Sequence, residues 1–220
     1  MPRRRLILVR HGETVYNRSG RYQGHTDVPL SEEGRRQAVA VAERLAGLAV
    51  AAVWSSDLSR ARETAETIAR PHRLEVRVDP DLREMSFGAW EGLTREEIEA
   101  RYGEDWRLYV EDATRHAPTG GETLAQLETR AAGALRRALA DLEPPREEGE
   151  RGRRRGALLL VSHGGTIKVI ASHLMGWNLH QRYRLVLDNT SVSVLDVDPE
   201  RPERSRLLRW NDTAHLGLGL

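Results

Sequence analysis

The chain has 220 residues, 39% hydrophobic and 30% charged, with a net charge of +1. That composition excludes a disordered chain, and the near-neutral balance excludes the broad basic footprint of a nucleic-acid binder. With no cysteine, the chain has no disulfides, thiolate nucleophiles or cysteine-ligated metal sites.

The length suits one domain spanning residues 1–220. Of the 34 basic residues only Lys168 is a lysine. Arginine presents a planar fork to phosphate and carboxylate, but the arginines as a group read as compositional bias. Pro2-Arg3-Arg4-Arg5 precedes an apolar run too short for a signal peptide or a membrane span, and no longer run follows. A cytoplasmic protein without a membrane partner is expected.

In chain order, Leu6–Val9 reads as a buried strand that ends abruptly in Arg10-His11-Gly12. A polar, glycine-bearing loop runs from Asn17 to Pro29. Ser31 caps an amphipathic helix over 31–48, with Ala38, Val41, Ala42 and Leu45 on one face. Ala51–Trp54 is a short strand, a helix opens near Ser59, and Leu74–Val78 alternates as a strand. Thr94 and Glu97 form a capping box for a helix toward Arg101, and 104–113 predicts another helix. Thr119 and Glu122 suggest a second capping box before a helix through Leu142. Residues 144–156 lack apolar content and read as a solvated loop. Ala157–Val161 is a second buried strand, ending in Ser162-His163-Gly164-Gly165. A helix over 166–174 and strands at 192–197 and 206–210 complete the chain. Alternating strands and helices predict an α/β fold: a three-layer α/β/α sandwich around a mainly parallel mixed sheet.

Two buried strands thus each end in His-Gly. If they are neighbours, His11 and His163 share the carboxyl rim of the sheet, where open α/β folds bind ligands. The Ala51–Trp54 strand leads into Arg60 on the first turn of a helix, whose N-terminus attracts anions. Two histidines and two arginines without a metal-ligand set describe a site for a phosphoryl group.

The blocks LILVRHGET, WSSDLSRARETA, LREMSFGAWEG and LLLVSHGGTIK, in this order and spacing, resemble the histidine phosphatase superfamily in its phosphoglycerate-mutase-like branch. The resemblance covers residue 6 to about 195. It implies that His11 is the nucleophile that becomes a phosphohistidine, a strained turn at Gly12 letting a backbone carbonyl fix its tautomer. Arg10 and Arg60 resemble the phosphate clamps, and His163 the second histidine, acting as a cation against the phosphoryl group. Glu84 resembles the general acid, its pKa raised by burial under Phe87 and Trp90; Glu13 and Glu91 are competing carboxylates. Asn17, Gln23 and Gly24 match a loop that closes over the phosphate, though plain turn chemistry accounts for them equally. Gly165 would offer a backbone N–H to the phosphate. Arg62 points elsewhere and reads as solvated or salt-bridged.

The resemblance implies a metal-independent phosphatase of small phosphomonoesters, with no cofactor. The alternatives are a cofactor-dependent phosphoglycerate mutase and a non-catalytic phosphate-binding protein. The short stretch after Trp90 and the Asn211-Asp212-Thr213-Ala214-His215-Leu216 tail resemble phosphatase members. The physiological substrate is open, as is the oligomeric state, a homodimer being one option.

Overall fold

Strand β1 (Arg4–Arg10) turns Leu6 and Leu8 into one hydrophobic layer and Ile7 and Val9 into the other. Strand β2 (Val50–Ser55), strand β3 (Val76–Val78) and the fully buried β4 (Ala157–Ser162) lie parallel to it; β5 (Val192–Val197) pairs antiparallel with β1, and β6 (Arg206–Asp212) antiparallel with β5. The six strands form one sheet in the order β3-β2-β4-β1-β5-β6. The continuous apolar runs of β1 and β4 are what a parallel strand covered on both faces requires. The computed structural model describes residues 3–142 and 156–217, so the expected loop at 144–156 lies outside the described residues, except for Gly156.

A four-residue helix, α1 (Val15–Arg18), precedes α2 (Glu32–Leu45) and α3 (Ser59–Ala69). Helices α2 and α3 cover the Ile7/Val9 face with Val41, Leu45, Ala61, Ala65 and Ile68. Helices α4 (Arg95–Arg101), α5 (Gly103–Asp112), α6 (Leu124–Ala140) and α7 (Gly164–Met175) cover the opposite face. The expected three-layer α/β/α sandwich is therefore present. Helix α2 follows β1 onto one face, whereas α7 follows β4 onto the other. The chain diverges between these two neighbouring strands, and that divergence opens a crevice at their carboxyl ends. Among the described residues no helix is long and apolar enough to cross a membrane.

Several local expectations are corrected. The helix capped by Ser31 stops at Leu45 rather than 48, because Ala49 already accepts a sheet-edge hydrogen bond from Ala157 N (2.7 Å). The second capping box is Thr123 with Gln126, not Thr119 with Glu122. Gly121 is packed against the backbone of Ser86 and Phe87, where no helix can start, and Glu122 instead accepts from Ser86 N at 2.8 Å. Helix α7 begins at Gly164, two residues before the expected start.

Candidate active site

The β1–β4 register pairs Arg10 with Ser162, so the next rung brings His11 against His163. The rings lie 5.0 Å apart, tilted by 58°, and both are buried. His11 Nδ1 lies 2.7 Å from Gly12 O. A carbonyl can only accept, so Nδ1 carries the proton and Nε2 of the neutral ring keeps its lone pair. Gly12 is not a strained turn, as its φ is not positive. Its lack of a side chain is needed for close approach: a Cβ would collide with Gly34 O, and one on Gly34 would collide with Glu13 O. Thr64 completes this junction, accepting from Gly12 N (3.1 Å) and donating to Arg60 O (2.8 Å).

Arg60, on the first turn of α3, is 0% exposed. It donates to Gly24 O (2.8 Å) and Thr26 O (2.9 Å), which leaves Nε without a partner. Arg10 donates to Leu187 O at 2.6 Å, and its Nε is likewise buried and unpartnered. Neither ring nitrogen of His163 has a partner. Buried donors are almost always satisfied. Arg10, His11 and Arg60 line one cavity of about 210 Å³, with Asn17, Tyr22, Glu84 and Phe87 among others, and His163 stands behind His11; the arrangement suits an anion rich in acceptors.

Burial, reinforced by Arg60 and Arg10, pushes the pKa of His11 well below 6.5 and does the same to His163. Burial also lowers Arg10, and brings Arg60 down to about 10. Both imidazoles are therefore neutral in the empty site. This suits His11 as a nucleophile, while a bound anion, by offsetting the two arginines, would favour the charged form expected of His163 against a phosphoryl group.

Glu84 stands beside this cluster, in the loop after β3. Its carboxylate accepts from Gly165 N (3.0 Å), Thr166 N (3.2 Å) and Met85 N (2.9 Å). Its hydrogen-bond partners are thus the start of α7 and the adjacent Met85 N–H, while Phe87 lines the same cavity. The Gly165 N–H, expected to face phosphate, is taken by Glu84, and a Cβ there would collide with Glu84 Oε1.

The other expected residues divide. Asn17 lines the cavity and braces Thr14, accepting from its N and Oγ1 (both 3.1 Å). Gln23 also lines the cavity and accepts from Thr14 Oγ1 at 2.8 Å. Gly24 contributes through its carbonyl to Arg60, in a left-handed conformation (φ 52°) in close contact with Glu91. Glu91 itself holds the 25–26 backbone, accepting from His25 N and Thr26 N, and Glu13 is bound by Arg18 and Ser31. Neither lines the cavity. Arg62 pairs with Glu66 at 2.8 Å, one of the two options expected for it.

Sequence reasoning missed the outer supports. Arg130 and His25 donate to Glu84 O (2.8 and 3.0 Å). Asn189 Nδ2 donates to His11 O and Thr190 N to Arg10 O, both at 3.0 Å. The 187–191 loop that carries them is tied to the tail: Asp188 N donates to Asn211 Oδ1 (2.7 Å), and Asn211 Nδ2 to Asp188 Oδ2 (2.8 Å). The tail motif was legible as a family mark, but nothing in it announced this contact. Among the described residues, no group of three or more His, Asp or Glu side chains is placed to hold a metal ion.

A family model described as the histidine phosphatase superfamily (branch 1) matches residues 6–213. Phosphoserine phosphatase 1 of Hydrogenobacter thermophilus is 34% identical over 213 residues, 97% of this chain and 94% of that one. A probable phosphoglycerate mutase, GpmB, of Cronobacter sakazakii is 37% identical over 195 residues, covering 87% and 84%. The solved structure of mycobacterial glucosyl-3-phosphoglycerate phosphatase with VO3 superimposes with a TM-score of 0.82 at 37% identity, covering 96% of this chain and 100% of that one.

Proposed function

The chain belongs to the histidine phosphatase superfamily, and on that premise we propose that it hydrolyses small phosphomonoesters through a phosphohistidine at His11, with no metal ion. It is a phosphoric monoester hydrolase, as its phosphatase relatives are by name. The carrying observation is the pair of buried imidazoles 5.0 Å apart beside two buried guanidiniums with unpartnered N–H groups.

In the first step the Nε2 lone pair of His11 attacks phosphorus, the ester P–O bond breaks, and the leaving oxygen takes a proton from the Glu84 carboxyl. In the second, water attacks phosphorus, the P–N bond breaks, and Glu84 takes the proton from water. Gly12 O holds the Nδ1 proton throughout. Arg10, Arg60 and His163 donate to the three equatorial oxygens, the work that divalent metal performs in many phosphoryl transferases. Fixed backbone partners hold both arginines before substrate arrives, so little reorganisation accompanies the reaction. That the mycobacterial relative is a phosphatase by name and was solved with VO3 supports a phosphoryl-binding reading for this chain. The chain would act as one domain, in the cytoplasm.

The test is turnover of p-nitrophenyl phosphate with and without chelator, together with trapping of acid-labile phosphoenzyme. Activity should survive chelation, and His11→Ala should abolish both turnover and the phosphoenzyme. Loss of activity on metal removal, or a fully active variant, refutes the assignment. The mutase reading, suggested by the name of the Cronobacter relative, would require isomerised phosphoglycerate with little free phosphate.

A further inference from the structure

Glu84 lies between the 3-10 turns Pro80–Leu82 and Gly88–Trp90, where no helix or sheet ladder fixes its backbone. Proton transfer tolerates little displacement of the carboxyl group. The α7 N–H groups hold only the side chain, so the main chain beneath it needs an anchor of its own.

Arg130 supplies that anchor. A guanidinium carries five N–H groups in a rigid fork, and here all five have acceptors. Nη1 donates to Asp81 O and Arg83 O, both at 2.8 Å. Nη2 donates to Glu84 O at 2.8 Å and to Glu122 Oε1 at 2.5 Å, and Nε donates to Glu122 Oε2 at 3.0 Å. Glu122 also accepts from Ser86 N at 2.8 Å, so the pair grips the chain on both sides of Glu84. The two side chains are only 17% and 15% exposed. Arg130 rises from α6, whose Leu127, Ala131 and Ala134 are fixed in the core. His25 Nε2 donates to the same Glu84 O at 3.0 Å. His25 lies between Gly24 and Thr26, whose carbonyls hold Arg60, so acid and phosphate clamp share one hydrogen-bonded frame. An enclosed ion pair is often no more stabilising than apolar groups of the same volume. What this one supplies is direction: five bonds that fix the backbone around one residue.

Resting on the phosphatase reading above, with Glu84 as the proton donor, we propose that Arg130 is a positioning residue of the reaction. Together with Glu122 it places the Glu84 carboxyl to protonate the leaving oxygen and then to take the proton from water. Arg130 does not line the cavity; it acts through Glu84.

Two substrates read this out: p-nitrophenyl phosphate, whose leaving group needs little protonation, and sn-glycerol 3-phosphate, whose alkoxide leaving group needs it. Arg130 is also among the charges that lower the His163 pKa; Arg130→Lys keeps that charge and removes the fork, which isolates the geometry. This variant should lower kcat/KM for sn-glycerol 3-phosphate by about 10- to 100-fold and leave that for p-nitrophenyl phosphate within about threefold. Because the same carboxyl serves phosphohistidine hydrolysis, p-nitrophenyl phosphate should now give a burst of p-nitrophenolate before slower turnover. Glu122→Gln should show both changes more weakly, and it carries the test if the lysine variant does not fold. Equal losses on the two substrates, or none on either, in a variant that still unfolds cooperatively would overturn the positioning role while the phosphatase reading stands. No phosphate release from either compound by the wild-type protein would remove that reading itself.

Discussion

Arg60→Met separates the electrostatics of the site from its packing. Methionine fills much of the arginine's volume at a position with no exposure, but removes the charge and the donors to Gly24 O and Thr26 O. Stabilisation of charge on a phosphoryl oxygen should fall by about 3–4 kcal/mol, a loss of about 100- to 1,000-fold in kcat. Arg60 is also a cause of the lowered pKa of both histidines, so the His11 pKa should rise toward its ordinary value in the variant. Stability changes less. The two carbonyls losing donors cost about 1–3 kcal/mol, and relief of a desolvated guanidinium offsets part of that. The assays are kcat with p-nitrophenyl phosphate, an NMR titration of the His11 ring, and thermal unfolding. A kcat within tenfold of wild type, or a His11 titration that does not move upward, would refute the account.

Three further outcomes follow from the same contacts. Because the buried histidines have folded pKa values below 6.5, the unfolded chain binds more protons in acid. Their contribution to stability is complete above about pH 6.5 and declines as pH falls below it, by up to about 1.4 kcal/mol per pH unit for each histidine. Urea denaturation between pH 7 and 5 should show this slope reduced in His163→Gln, and an unchanged slope would argue against it. Gly165→Ala drives a methyl into Glu84 Oε1, so kcat for alkyl phosphates should drop about tenfold or more while p-nitrophenyl phosphate, whose leaving group needs little protonation, is less affected; equal losses would remove Glu84 as the acid. Asn211→Ala cuts both hydrogen bonds to Asp188 and should lower kcat by about tenfold through misplacement of the nucleophile, with KM nearly constant; a change confined to melting temperature would make the tail purely structural.

Much of this protein is written locally. The β1 and β4 runs are apolar enough to require burial on both faces, and each must end where Arg10-His11 or Ser162-His163 begins. Ser31 and Thr94 place helix starts because a cap needs only its own neighbours three residues on. Arg60 follows from a strand that breaks into a helix. The Thr119 box misled because its Gly120-Gly121 backbone is claimed by residues 86–88, a contact between chain-distant segments that no local pattern carries.

The sequence by itself determined which groups meet at one rim, since strand length and motif deliver Arg10, His11, Arg60 and His163 there. Tertiary structure alone decided their state. The histidines are neutral because enclosure and two guanidiniums act together. Glu84 is held by the start of α7 and so takes up the Gly165 N–H that phosphate would otherwise meet. Desolvation and charge pairing depend on what surrounds a side chain in three dimensions, and neighbours far apart in the chain supply those surroundings only once it has folded.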